Sequence, residues 1–208
     1  MSNVLFIKAN NRAIDQSVSV KMYHEFLDAY KANHPDDQIT ELDLFAENLP
    51  YYDNTAINGM FKASRGIEAT PEEQAAAANV TKYIDQFLGA DKIVFAFPLW
   101  NMTVPAVLHT YIDYLNQAGR TFKYTPEGVV GLVTGKKVVL LNARGGNYSE
   151  GPMAAAEMAV NFVVRNLRQW GVQDIETLII EGHNQFPQEA EAIVQSGLEL
   201  VKKAAAGF

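Results

Sequence analysis

Apolar residues recur along this chain in two rhythms. Short runs at Val4 to Lys8, Lys92 to Phe97, Lys136 to Asn142 and Ile175 to Ile180 read as strands, and the run from Ile93 has the unbroken apolar character of a strand buried on both faces. Ile39 to Leu44 alternates imperfectly and reads as a further strand, second in chain order. Between them lie longer stretches with a period near 3.6. From about Ser17 to Asn33, Val18, Met22, Phe26, Leu27 and Tyr30 mark a helix face, and His34-Pro35 ends it. Thr70-Pro71-Glu72-Glu73 opens a second helix, with Thr70 as N-cap, Pro71 at the first position and Glu73 closing a capping box. That helix ends near Gly89. Further helices are expected over Thr103 to Ala118, Pro152 to Trp170 and Pro187 to Ala205. Two stretches fit neither rhythm. Phe45 to Thr70 reads as a long irregular excursion, and loops of that length in a compact domain are usually functional. Gly119 to Gly135, with its Pro126-Glu127-Gly128 turn, reads as a ribbon or loop outside the sheet.

Strands that alternate with helices imply an α/β fold: a five-stranded parallel sheet with helices on both faces, a three-layer sandwich. No linker or internal repeat divides the chain, so residues 1–208 are expected to form a single domain. The strand order that suits five strands is 2-1-3-4-5. It reverses between strands one and three, and a ligand belongs in the crevice at their carboxyl ends. Three loops meet there: Ala9 to Ser19, Pro98 to Met102 and Ala143 to Tyr148.

Composition narrows the chemistry. Of 208 residues, 48% are hydrophobic and 20% charged, which argues against disorder. The net charge of -7 argues against nucleic acid or an anionic membrane surface as partner. The absence of cysteine removes disulfides, thiolate metal sites and thiol redox chemistry. The opening MSNVLFIK has too few consecutive apolar residues for a signal peptide, and no apolar run is long enough for a membrane span; a soluble cytoplasmic protein is expected. The four histidines are scattered without metal spacing. There is no G-x-G-x-x-G, no P-loop and no G-x-S-x-G.

Each loop offers something short of a catalytic group. Ser17 and Ser19 stand at the start of a helix, where hydroxyls and free N–H groups bind phosphate well. On this loop alone Ser17 reads more readily as a plain N-cap. In PLWNM, Trp100 and Met102 offer apolar surface for a planar ring, and Asn101 can donate and accept hydrogen bonds; a core tryptophan plugging the sheet end is an equal reading. Gly145 and Gly146 let backbone approach a ligand, with Arg144 or Tyr148 placed to close over it; an ordinary βα turn accounts for them as well. An active site with no evident acid, base, nucleophile or metal suggests that a cofactor carries the chemistry, and a flavin fits.

These segments together resemble the FMN-dependent NADH-azoreductases, also described as NADH:quinone oxidoreductases. The resemblance rests on VLFIKAN near the N-terminus, SVS at 17–19, PLWNM at 98–102, TFKYT at 121–125, GLVTGKK at 131–137, ARGG at 143–146 and GP at 151–152. It runs to about Gly182. It implies a flavodoxin-like homodimer binding FMN, tightly and without a covalent bond. NADH would be the electron donor in a two-electron ping-pong cycle, with quinones or azo compounds as acceptors. It implies FMN contacts at Asn10, Ser17, Val18 and Ser19, at Leu99, Trp100, Asn101 and Met102, and at Ala143, Arg144, Gly145 and Gly146. It carries over no side chain as catalytic acid or base. The family often has Tyr at position 100, Phe at 102 and Ser at 10; here Trp100 and Met102 keep a bulky apolar contact and Asn10 keeps a donor. Met60, Phe61, Phe122 and Tyr124 are candidates to complete the substrate pocket from a second subunit, with core padding as the equal alternative. A flavodoxin-type carrier, passing electrons to protein partners without oxidising NADH itself, is the main competing reading, and a scaffold or sensor that kept the fold is a third.

Overall fold

In the computed structural model, which describes residues 1–208, the apolar runs lie side by side and parallel. The sheet strands are Asn3–Lys8 (β1), Gln38–Asp43 (β2), Lys92–Pro98 (β3), Lys137–Arg144 (β6) and Asp174–Glu181 (β7), in the order β2-β1-β3-β6-β7. Counting sheet strands alone, this is the expected 2-1-3-4-5. Register pairs Ile7 with Phe95, Pro98 with Ala143 and Arg144 with Glu181. The carboxyl ends of β3, β6 and β7 therefore finish level with one another.

The central strands lack polar alternation because both their faces are covered. Leu5, Ile7, Ile93, Phe95, Phe97, Val138 and Leu140 face one way and pack with Tyr83 and Phe87 of α3 (Pro71–Gly89), Leu108 and Tyr111 of α4 (Ala106–Leu115) and Trp170 of α5 (Ala159–Trp170). Their neighbours Val4, Phe6, Val94, Ala96, Val139 and Leu141 face the other way, toward Phe26 and Tyr30 of α1 (Val18–Asn33) and Val201 of α6 (Ala190–Gly207). Phe122–Thr125 (β4) and Gly128–Gly131 (β5) form an antiparallel hairpin outside this sheet, as the turn residues suggest. The capping box at Thr70 forms with both of its hydrogen bonds. No helix is long and apolar enough to cross a membrane.

Four expectations about helices need correction. The excursion from Phe45 contains a regular helix, α2 (Asn54–Arg65), capped by the Asp53 carboxylate at one end and by left-handed Gly66 at the other. Its weak signal has a cause. Gly59 interrupts the helix sequence because a Cβ there would lie 2.2 Å from the Glu73 carbonyl oxygen of α3. The helix after β3 begins only at Ala106, since Pro105 disfavours helical backbone in the residue before it. The helix expected from Pro152 begins at Ala159. Ahead of it lie a short 3₁₀ turn, Ala154–Ala156, and then Glu157, whose carboxylate accepts from the N–H groups of Ala159, Val160 and Asn161 at 2.8, 2.7 and 3.2 Å. Similarly α6 starts at Ala190, not at Pro187.

Candidate active site

At the end of β1, Asn10 is buried, and its amide nitrogen donates to Ser17 Oγ at 2.8 Å and Ser19 Oγ at 3.0 Å. Its Oδ1 accepts from the Arg12 N–H at 3.0 Å. Ser17 is the N-cap of α1 and also accepts from the Val20 N–H. Both readings of Ser17 are thus compatible: it caps, and it still belongs to a polar cup. The N–H groups of Val18 and Ser19 find no acceptor in the chain. The first turn of α1 carries no acidic side chain. Two free amides, two hydroxyls and a helix N-terminus make a ready anion site.

Across the crevice, β3 ends at Pro98, and the Leu99 N–H donates to the Ala143 carbonyl at 2.9 Å. Trp100 and Thr103 then exchange backbone hydrogen bonds of 2.9 and 3.0 Å. The two residues between them, Asn101 and Met102, both have positive φ, 49° and 69°. Two left-handed residues closed by such a pair resemble a type I′ turn, whose second central position is usually glycine. Met102 there is strained. The turn leaves the N–H groups of Asn101 and Met102 without acceptors in the chain. Trp100 is half-buried, its ring edge-on to Phe45 at 6.3 Å, so it is not a core plug.

The third wall starts at Ala143. Gly145 and Gly146 follow, and their carbonyls are held by the segment after β7. Asn184 and Gln185 donate N–H groups to the Gly145 carbonyl at 2.9 and 3.0 Å, and the Gly182 N–H reaches the Gly146 carbonyl at 3.3 Å. Gly145 accommodates this embrace: a Cβ on it would lie 2.5 Å from Asn184 Nδ2. Together these walls enclose a crevice of about 480 Å³ lined by Asn10, Ser17, Val18, Ser19, Leu99, Trp100, Ala143 and Gly145.

A family model described as "Flavodoxin-like fold" matches residues 2–204. The chain belongs to the flavodoxin-like family. FMN-dependent NADH:quinone oxidoreductase 1 of Bacillus subtilis (strain 168) is 60% identical to it over 208 residues, 100% of both chains. The crystal structure of an azoreductase from Bacillus anthracis str. Sterne superposes with a TM-score of 0.98 at 59% identity, again over 100% of both chains. An FMN-dependent NADH-azoreductase from Bacillus anthracis str. Ames Ancestor, solved in complex with FMN, gives a TM-score of 0.90 at 27% identity, covering 99% of this chain and 98% of that one.

In this flavodoxin-like chain the remaining sequence candidates fall in different places. Asn101 lies on a neighbouring groove of about 610 Å³ that shares Trp100 and runs along Phe45, Tyr51, Val104 and His109. The Arg144 side chain does not close over the crevice. It is buried, with Nε donating to Asn142 Oδ1 at 2.7 Å and its end groups 3.4 Å from Glu181 and 3.6 Å from Glu157. Tyr148 is half-buried, and its ring would sit 3.2 Å from a Cβ on Gly146. Met60 and Phe61 line a separate groove of about 590 Å³ between α2 and the end of α4. Phe122 belongs to the core, whereas Tyr124 is exposed. Within one chain these four do not reach the crevice. Trimming Phe122 to Ala would leave a core cavity and cost about 3–5 kcal/mol of stability.

Several lining residues escaped the sequence reading: Gln16, Lys21, His183 and Asn184. The last two follow β7, and the signal for them was topological, since that strand also delivers its carboxyl end to this edge. His183 Nδ1 is buried without a hydrogen-bond partner, and burial pushes the imidazole below the usual histidine range. No group of three or more His, Cys, Asp or Glu side chains is placed to hold a metal.

Proposed function

We propose that this protein is an FMN-dependent NADH oxidoreductase that reduces quinones and reductively cleaves azo compounds. The carrying observation is the crevice itself. One end is a polar cup of hydroxyls and free amides on a helix N-terminus, and the other is a tryptophan beside a turn with two free N–H groups. A phosphate-bearing flavin has that polarity, charged at one end and flat at the other, and the residues present fit it. The names of the relatives, at about 60% identity over the full chain, support the same reading.

In this reading Asn10, Ser17, Val18 and Ser19 bind the phosphate. Asn10 orients the two hydroxyls, and the free amides of Val18 and Ser19 point toward the charge. Leu99 and Trp100 provide apolar surface for the ring and exclude water from it. Asn101 and Met102 offer backbone donors to its polar edge. Ala143 to Gly146 close the third side by backbone, while the Arg144 side chain supports from behind. FMN held by these residues would supply the two-electron redox chemistry between NADH and the acceptor. No side chain of the crevice is assigned a proton-transfer role.

The finer features belong to the same proposal. Residues 1–208 act as one unit, a reading supported by the family match over 2–204. The enzyme works as a homodimer in the cytoplasm. Met60, Phe61, Tyr124 and Tyr148 contribute to the acceptor pocket where two chains meet, with Phe122 packed in the core against Tyr124.

An absorbance spectrum of the purified protein, followed by NADH under anaerobic conditions, tests the reading. A bound flavin that bleaches with NADH alone and recovers on adding a quinone is the expected result. A flavin that bleaches only with a partner reductase would instead make the protein an electron carrier of the flavodoxin type. A colourless protein that takes up no FMN would overturn both.

A further inference from the structure

The turn beside the crevice is closed by the Trp100–Thr103 pair, but that pair does not relieve its strained backbone. Met102 occupies left-handed backbone, φ 69°, without the freedom of glycine. Its carbonyl, however, accepts a hydrogen bond of 2.9 Å from the Met158 N–H. Met158 stands directly before α5, between that helix and Glu157. The orientation of its peptide is fixed on the helix side by the Glu157 carboxylate, which binds the first amides of α5. That carboxylate is in turn buried beside the Arg144 guanidinium, 3.6 Å away.

We propose that Glu157 and Arg144 are positioning residues for the cofactor: through α5 and the Met158 N–H they hold the Asn101–Met102 turn in its left-handed form. This rests on the reading of the crevice as an FMN site. The buried charges of the device are compensated by their surroundings. Arg144 faces two carboxylates, Glu157 and Glu181, and alone cannot neutralise both. The excess negative charge is spread over amides: three at the start of α5 on Glu157, and those of Tyr148 and Ser149 on Glu181 at 2.9 and 3.1 Å. One guanidinium thus fastens both the glycine-bearing loop after β6 and, through α5, the turn after β3. An ordinary structural ion pair would have no reason to matter more when residue 102 is strained. The clamp does.

That difference is the test. FMN affinity is measured by quenching of flavin fluorescence for Glu157→Gln in two backgrounds, the natural chain and Met102→Gly. Glycine holds the left-handed position unaided. Glu157→Gln is expected to weaken FMN binding about tenfold in the natural background and less than about threefold beside Met102→Gly, a coupling of the size seen between neighbouring groups in one network. Equal losses in both backgrounds, or no loss in either, would overturn the proposal. If Glu157→Gln yields too little folded protein, Arg144→Lys takes its place, keeping the charge but not the planar fork. The FMN reading fails separately, if the unsubstituted protein takes up no FMN at all.

Discussion

The loop after β1 and the loop after β3 flank one crevice and are held by opposite means. The first is closed by residues within ten positions of each other: Asn10 bonds Ser17 and Ser19, and Ser17 caps the helix they begin. The second has one local closure, the Trp100–Thr103 pair, and is otherwise held from a distance. Its Met102 depends on Met158, and its Leu99 on Ala143. A locally closed loop should keep its shape with the site empty or filled. A loop with strained backbone keeps its shape only while its remote support lasts. Binding strength at the phosphate end should therefore respond to chemistry, and at the ring end to packing.

The sharpest probe of the first loop is Ser17→Asp. Aspartate is as good an N-cap as serine, so the thermal midpoint should barely move. A carboxylate in the polar cup would repel the phosphate and remove a donor, and FMN should bind about 100-fold more weakly, the equivalent of one charge-assisted hydrogen bond lost. A fluorescence titration that shows unchanged affinity would place the phosphate elsewhere.

Gly59→Ala serves as the contrast, touching neither loop. Its Cβ would run into the Glu73 carbonyl of α3. Chemical denaturation should show a loss of about 1–3 kcal/mol, the usual cost of overpacking, while FMN affinity per folded molecule stays put. Equal damage to affinity would mean that α2 supports the crevice after all.

Glycine in each loop should act with opposite signs. Met102→Gly relieves left-handed strain and should raise the stability of the cofactor-free chain by about 1 kcal/mol. Ser17→Gly, at an N-cap, should lower it by about a few tenths. Thermal unfolding of the two variants side by side decides the matter; a destabilised Met102→Gly would show that the turn is comfortable as it stands.

The same contrast explains what the sequence disclosed. The strands and α3 were legible because their signals are local: apolar runs for the former, and a cap followed by proline for the latter. The first loop was legible as a phosphate candidate for the same reason, its serines and its helix being neighbours. The helix α2 was not, because Gly59 answers to a contact with α3 that no local pattern reveals. Arg144 looked like a ligand-closing side chain because its two carboxylate partners lie 13 and 37 positions away in the chain. The strained turn was hidden too. Nothing in Asn101-Met102 announces positive φ at both residues, and the segment after β7 became part of the site only through the sheet's topology.

His183 belongs to that last, non-local class, and its titration gives the smallest predicted effect. Its ring lines the crevice, Nδ1 has no partner, and burial lowers its proton affinity in the folded chain. The neighbouring Glu181 carboxylate is engaged with Arg144, Tyr148 and Ser149 and is not bonded to the ring. The sign follows from linkage. Below the ordinary histidine value of about 6.5 the unfolded chain takes up a proton that the folded chain resists, so stability drops as the pH is lowered through that region and is flat above it. His183→Gln should abolish this slope, and the two chains should differ in thermal midpoint below pH about 6.5 and converge above it. Adding FMN should narrow the gap, since an anion in the same crevice favours the protonated ring. A gap of the opposite sign would mean that the imidazole is charged in the folded protein, and a gap that FMN leaves untouched would put the phosphate out of its reach.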